Sequence, residues 1–201
     1  MSDYTDLTTV KAWLKITAAT DDTLLTGLIT RASGIIDEYT ARYFEAQTLT
    51  RYFDAVGPHI DARMLFVDQD LLTVTGLVNG DGSAITSGQY VLRPSNSPPY
   101  YGIALKSNAG VSWTYTGDPE EAISVTGTWG YSATPPGNVV QAAIRLTAWL
   151  YRQRDTNDQG DRVVTSPAAG TTIYPARLPQ DIRDLLAPYL KMNIGAAGDW
   201  L

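Results

Sequence analysis

The stretch NVVQAAIRLTAWLYRQR, residues 138–154, decides how this chain folds. Its polar side chains form only a thin stripe at helical spacing, and most of the remaining surface is apolar; the stripe consists of Asn138, Gln141, Arg145 and Arg152. We predict a helix that is capped by Asn138 and ends near Arg154. A helix that is apolar over so much of its circumference is covered on more than one side. We expect two upstream helices to cover one side, and a β-rich segment or a second chain to cover the other.

Those two upstream helices are predicted in the amino-terminal segment, which extends to about Phe44. Apolar side chains recur at helical spacing after the candidate caps Thr5 and Asp6; they are Leu7, Val10, Trp13 and Leu14. The second helix begins at residues 20–22 and carries a wide apolar stripe from Leu24 to Tyr43. A last helix begins near Pro179, and we expect Pro188 to kink it.

Two glycines, Gly27 and Gly34, lie inside the second predicted helix. Each costs about 1 kcal/mol relative to alanine in a helix interior. Two readings are open. The glycines are tolerated on a solvent-exposed face, or the backbone of another element approaches closely there, for example from a neighbouring subunit.

The segment between residues 47 and 131 is predicted to form a compact β module. Short runs of β-forming residues alternate with turn signals such as Gly57-Pro58 and Ser97-Pro98-Pro99; the runs are 48–56, 64–67, 71–78, 89–93, 102–106 and 122–129. We expect about six strands in a sandwich- or barrel-like arrangement. Residues 155–178 are polar and are predicted to be a long loop that becomes ordered only in an assembled particle.

The composition excludes several kinds of site. The chain has 201 residues, 44% of them hydrophobic, with no cysteine and one histidine, His59. Disulfides, thiolate zinc sites and cysteine nucleophiles are therefore excluded, and we predict no metal and no cofactor. The net charge of -6 disfavours tight wrapping of nucleic acid. No apolar run is long enough to span a membrane, and the start lacks the features of a signal peptide.

The residues that could carry chemistry each have an alternative reading. Paired carboxylates could act on glycosidic bonds or bind Ca²⁺, or could be solvated turn acids; they are Asp54, Asp61, Asp68, Asp70, Asp118, Glu120 and Glu121. Aromatic side chains of the β module could stack on sugars or form a protein interface; they are Tyr100, Tyr101, Trp113 and Tyr115. Basic residues near the end of the long helix could contact phosphates, pair with acids of a neighbour, or be a solvated helix end; they are Arg145, Arg152, Arg154 and Arg162.

The order of these segments resembles that of tailed-bacteriophage head–tail connector (adaptor) proteins. In the first half the resemblance lies in residues 7–16 (LTTVKAWLKI), 21–24, 28–33 and 36–44. In the second half it lies in residues 123–131 (ISVTGTWGY), Pro135-Pro136, the long helix, and residues 178–189. It covers about residues 5–46 and 122–190. The β module is a departure, because the smallest members of the family are mostly helical.

This resemblance implies a structural virion protein and no enzymatic activity. It implies a subunit of a twelve-membered homo-oligomeric ring beneath the portal protein, where the ring extends the channel for passing double-stranded DNA and meets a tail terminator or stopper. The protein would be assembled in the host cytoplasm and reside at the head–tail interface of the virion. The carboxy-terminal segment would reach the portal, which maps portal binding onto Tyr189, Trp200 and Leu201. The alternative function is a carbohydrate-binding module or a glycosidase-like β domain.

We therefore predict an α+β fold in which a bundle of three to four helices carries an inserted antiparallel β module. The helical bundle is discontinuous, comprising residues 1–46 and 132–194; the β-rich insert is residues 47–131, and residues 195–201 are a flexible tail. Candidate subunit-interface residues are Gly27, Gly34, Trp149 and Tyr151. Candidate DNA-channel or inter-subunit ionic residues are Arg145, Arg152 and Arg154.

Overall fold

The computed structural model describes residues 3–153, 162–166, 170–174 and 178–191. Its helices and antiparallel strands give an α+β fold. The chain divides into two compact units. The helical unit comprises Met1–Ala41 and Pro135–Leu190, and the β-rich unit comprises Arg42–Thr134 and Lys191–Leu201. No helix in the described ranges is long and apolar enough to cross a membrane.

The helical unit contains four α-helices followed by a short 3₁₀ helix. They are α1 (Leu7–Leu14), α2 (Asp22–Thr40), α3 (Gly137–Gln153), α4 (Gln180–Leu186) and the 3₁₀ helix Ala187–Tyr189. The predicted cap of α1 is confirmed, because Asp6 Oδ1 accepts a hydrogen bond from the Thr9 backbone N–H at 2.8 Å. The predicted kink at Pro188 is wrong. The α-helix ends at Leu186 instead, and Pro188 lies within the 3₁₀ helix, where its missing N–H breaks no α-helical hydrogen bond.

Helix α3 is covered within its own unit. It packs against α1, α2 and α4, and its buried side chains are Val139, Ala142, Ala143, Ile144, Leu146, Thr147 and Ala148. Helix α4 adds cover that the sequence analysis did not count, and the expectation that the β module or a second chain covers the remaining side of α3 stays a prediction. Ile182 and Leu186 of α4 are both buried. The large apolar side chains that stay exposed in this unit include Trp13 and Leu24.

A buried polar cluster fixes the start of the chain to α2. The Tyr4 backbone N–H donates to Ser33 Oγ at 3.0 Å, and the Tyr4 hydroxyl donates to the Asp37 carboxylate. All three residues are almost fully buried. Burial raises the pKa of the Asp37 carboxyl group above its ordinary value, and the hydrogen bond from Tyr4 only partly opposes this.

This raised pKa predicts a pH dependence of stability. A carboxyl group with a raised folded-state pKa binds its proton more tightly when folded, so it stabilises the fold at acid pH and loses that contribution as the pH rises through its folded pKa. In an Asp37→Asn variant the side chain is neutral at every pH, and its amide oxygen can still accept from Tyr4. We therefore expect the variant to gain stability relative to wild type as the pH rises above the ordinary aspartate pKa of 3.8, measured as free energies of unfolding in urea. A difference that stayed constant or shrank with pH would contradict the assignment.

The β-rich unit contains one antiparallel sheet. Its strands are β1 (Gln47–Phe53), β2 (Ile60–Asp61), β3 (Met64–Val78), β4 (Tyr90–Arg93), β5 (Tyr100–Leu105) and β6 (Ile123–Trp129). The strand order is β1-β6-β3-β5-β4, and β2 pairs with the start of β3. Within the described residues this order has two open ends, so the sheet is neither the sandwich nor the closed barrel that the sequence suggested. Two predicted strands, 64–67 and 71–78, form the single strand β3, with a register shift between Phe66 and Leu71.

The core of this unit lies on one face of the sheet. Strand β6 shows this best, because its residues alternate between buried and half-buried along its whole length. The fully buried core side chains include Leu65, Leu71, Ile103, Ile123 and Val125. Within β6, Gly127 lies opposite Val74 of β3, and a Cβ at Gly127 would lie 2.0 Å from the Thr73 carbonyl oxygen.

The stretch predicted as the loop 155–178 contains a two-stranded antiparallel hairpin. Strand β7 is Arg162–Ser166 and strand β8 is Gly170–Tyr174. The loop prediction is therefore wrong for these ten residues. The runs Val163-Val164-Thr165 and Thr171-Thr172-Ile173 are β-branched and favour strands, although turn-forming and polar residues surround them.

Candidate interaction surfaces

A groove in the helical unit collects several residues that the sequence singled out. Its volume is about 220 Å³, and it is lined mainly by α1, α3 and the start of α4. We call it the tryptophan–arginine groove; its lining includes Trp13, Arg145, Trp149, Arg152, Asp181 and Ile182. Arg145, Trp149 and Arg152 lie together there because they are separated by four, three and seven residues on α3 and therefore share one side of the helix.

The two arginines of the groove differ in their partners. Arg145 Nη1 donates to Asp181 Oδ2 at 2.8 Å, and this ion pair joins α3 to α4. Arg145 Nε is buried and has no hydrogen-bond partner among the described residues. Arg152 is exposed, and no ion pair involves it in the part of the chain that the structure describes. Among the described residues that line the groove, two guanidinium groups meet one carboxylate, which gives this set one net positive charge within a chain of net charge -6.

The two tryptophans give the groove an apolar wall. Trp149 is half-buried, whereas Trp13 leaves 48% of its surface exposed. The sequence placed Trp13 on the apolar face of α1, but that face is covered through Val10, which is fully buried against Leu25 and Ile29. A large exposed aromatic side chain beside an unpaired arginine is typical of a protein interface. This interface role of Trp13 was not predicted from the sequence. The available signal was that α1, with eight residues, is too short to bury so large a side chain together with Val10.

The other candidate interface residues lie apart from this groove. The Tyr151 hydroxyl donates to the Asp21 carboxylate, and its ring packs on the cluster of Val10, Leu25 and Ile29, so it serves the helical unit itself. Gly27 is exposed, and a Cβ there would meet nothing within 4 Å. Gly34 is half-buried. Their role between subunits stays a prediction.

The predicted portal-binding residues follow α4. Tyr189 ends the 3₁₀ helix and is half-buried. Trp200 and Leu201, like Arg154 of the predicted ionic set, lie outside the described residues. The last described residue is Lys191, whose Nζ donates to the Asp68 carbonyl oxygen of β3 at 2.6 Å. Burial lowers the pKa of the Lys191 ammonium group, and the nearby Asp70 carboxylate opposes that shift.

The surroundings of Lys191 are an ionic cluster on the β-rich unit. Arg42 Nη1 lies 2.5 Å from Asp70 Oδ1, and Arg51 pairs with the Asp68 carboxylate. Both guanidinium groups also lie over aromatic rings, Arg42 at 5.1 Å from the Tyr131 centroid and Arg51 at 5.4 Å from that of Trp129. Two of the acids considered for catalysis or Ca²⁺ binding are thus paired with arginines.

Residues 4–64 match the family model described as "Phage gp6-like head-tail connector protein". The resemblance to the head–tail connector family is confirmed. The matched segment contains α1, α2, β1 and β2. It therefore includes Trp13 of the groove, whereas Arg145, Trp149 and Arg152 lie beyond it.

Solved structures of phage-like particles have the same fold as the whole connector-like chain. "Neck of native GTA particle computed with C12 symmetry" covers 94% of this chain and 89% of its own, at 14% identity and a TM-score of 0.57. "Neck of empty GTA particle computed with C6 symmetry" covers 94% of this chain and 90% of its own, at 16% identity and a TM-score of 0.53. "Virion of native gene transfer agent (GTA) particle" covers 94% of this chain and 90% of its own, at 18% identity and a TM-score of 0.57. No curated protein matches at a significant level.

The alternative of sugar binding or glycosidase activity gains no support beside the connector-family match. The Trp113 indole N–H donates to the Arg63 carbonyl oxygen at 3.0 Å, and the Tyr101 ring stacks on Phe66. His59 Nδ1 lies 3.1 Å from the Phe66 carbonyl oxygen, and its ring packs edge-on against Phe53, so the side chain contacts the β-rich unit. Among the described residues, no group of three or more histidine or acidic side chains could hold a metal ion.

Proposed function

We propose that this protein is a head–tail connector subunit of a tailed phage or phage-like particle, located in the virion beneath the portal. The observation that carries this proposal is the family match over residues 4–64. The fold shared with neck proteins of gene transfer agent particles supports it, because the likeness extends over 94% of the chain. The role is structural and not enzymatic: copies of the chain assemble in the host cytoplasm and join head to tail.

The proposed assembly is a closed ring, and we propose twelve subunits. The C12 and C6 symmetries named for the gene transfer agent necks support a ring of this order. A ring closes when one surface of each subunit binds a different surface of the next, and the rotation returns to the start. The lumen of the ring continues the channel through which double-stranded DNA passes. A net charge of -6 suits passage without tight binding.

Within this assembly, we propose distinct roles for the parts of the chain. Residues 1–46 and 132–194 form the connector helical bundle, and residues 47–131 are an inserted antiparallel β module. Tyr189, Trp200 and Leu201 bind the portal protein, with residues 195–201 as a tail that folds on docking. The opposite side of the ring receives the tail terminator or stopper protein.

Electron microscopy of the purified chain mixed with the portal protein encoded beside it tests the proposal. We expect class averages of twelve-fold rings seated on one end of the portal. The chain alone, imaged at the same concentration, shows whether the portal is needed for ring closure. A chain that stays monomeric and leaves the portal bare would refute the connector assignment.

A further inference from the structure

The tryptophan–arginine groove is small and combines aromatic with charged side chains. At about 220 Å³ it is smaller than the roughly 300–1,000 Å³ of typical ligand pockets. It offers Arg152, which forms no ion pair with a residue that the structure describes, beside the exposed ring of Trp13. The buried and unpartnered Arg145 Nε adds a donor that a bound segment could satisfy. These features are complementary to an acidic loop that also carries a small apolar side chain.

The same chain carries a protrusion of that chemistry, which we call the acidic loop (residues 118–121, Asp-Pro-Glu-Glu). Asp118, Glu120 and Glu121 are all exposed. None of the three forms an ion pair with any residue that the structure describes. Three neighbouring carboxylates without a counter-charge leave an unbalanced negative surface.

The acidic loop is held rigidly, which lowers the entropy lost on binding. The Ala55 backbone N–H donates to the Pro119 carbonyl oxygen at 2.8 Å, and the Glu121 backbone N–H donates to Asp54 Oδ1 at 2.8 Å. Glu121 is fixed with a φ of 53°, a left-handed conformation that a non-glycine residue adopts only under constraint. Val56, which follows Ala55 in the chain, is 55% exposed and is the apolar side chain available for this contact.

We propose that the acidic loop of one subunit binds the tryptophan–arginine groove of the next subunit in the ring. This inference rests on the proposed function, because the contact is made between neighbouring copies of the chain. Charge complementarity selects a second copy as the occupant: Arg152 pairs with Glu120 or Glu121, and Trp13 shields the pair from water. The two surfaces differ, so each subunit contacts one neighbour through its groove and the other neighbour through its acidic loop, as a closed ring requires.

Charge reversal with rescue tests the contact. Arg152→Glu and Glu120→Lys are each expected to weaken ring assembly at least about tenfold, because each places like charges opposite one another. The double variant restores the opposite charges and is expected to assemble within about threefold of wild type. Assembly is measured as the ring fraction against concentration by mass photometry, with and without portal. Arg63→Glu and Glu38→Lys are matched controls, since both replace exposed residues outside the two surfaces with the same charge change.

The outcomes separate this contact from the connector role. Rings that form equally well in both single variants, or a double variant that fails to recover, would overturn the contact and leave the connector role standing. An Arg152→Glu protein that forms rings but loses portal binding would also overturn it, because the groove would then belong to the portal. Wild-type protein that forms no ring under any condition would refute the proposed function itself, and this contact with it.

Discussion

A Gly127→Ala variant is expected to lose about 3 kcal/mol or more of unfolding free energy, at the upper end of overpacking effects, or to fail to fold its β-rich unit. The added methyl group would lie 2.0 Å from the Thr73 carbonyl oxygen and 3.0 Å from the Thr73 carbonyl carbon. Both atoms belong to backbone in the middle of β3, so no flexible side chain can move aside. Strand β6 is paired on both sides, with β1 and with β3, and cannot shift without losing hydrogen bonds.

A neighbouring glycine provides the matched control for this variant. Gly76 of β3 pairs with Thr126 of β6, and a Cβ there would lie 3.4 Å from the Thr126 Cβ, an ordinary contact. Gly76→Ala is therefore expected to change stability by no more than about 1 kcal/mol, since alanine also has the better strand entropy. Urea denaturation followed by tryptophan fluorescence compares the two. Equal midpoints for both variants would show that the sheet does not have the close approach described at Gly127.

Removal of residues 195–201 is expected to abolish portal binding while the helical and β-rich units stay folded. The removed segment contains Trp200 and Leu201, and a large aromatic anchor commonly carries about 2 kcal/mol or more of binding energy, roughly a thirtyfold change in affinity. We expect the units to remain folded because, among the described residues, every buried core side chain precedes Lys191. Portal binding is measured by surface plasmon resonance, and folding by circular dichroism of the same samples.

Single substitutions decide which part of the segment matters. Trp200→Ala is expected to weaken portal binding at least about tenfold, whereas Asp199→Ala, one residue away, is expected to have little effect. Binding that survives both the truncation and Trp200→Ala would place the portal contact elsewhere in the chain. In that case Tyr189, which precedes the truncation, would be the remaining candidate of the predicted set.

Local signals in the sequence predicted the helices well, and contacts between distant residues explain most of the misses. The start of α1 follows from Asp6 and Thr9, three residues apart. The end of α2 does not: the apolar stripe continues to Tyr43, but the helix ends at Thr40 and Ala41 is left-handed. Two strands were predicted in place of β3 because Asp68, Gln69 and Asp70 interrupt its apolar residues. Arg51 and Arg42 neutralise these two acids from elsewhere in the chain, so the strand continues through them.

The tryptophan–arginine groove could be predicted only in part for the same reason. Arg145, Trp149 and Arg152 are on one helix, and their spacing places them on one side of it. Asp181, which pairs with Arg145, is 36 residues away, and Trp13 is on a different helix. The periodicity of a single helix cannot predict a contact between residues on different helices. The family resemblance predicted a ring assembly, but it did not predict the residues of the groove, which meet only when α1, α3 and α4 pack together.

The hydrogen bond from Lys191 to the Asp68 carbonyl oxygen sets a limit on distance. Trp200 is nine residues further along the chain, and a fully extended chain spans at most about 3.3–3.6 Å per residue. In the proposed portal contact, the Trp200 ring therefore docks within roughly 30 Å of Lys191. In that contact, a span of nine residues would keep the local concentration of the docking residue high, at about millimolar. Once a ring is seated, one released tail would rebind before its neighbours let go.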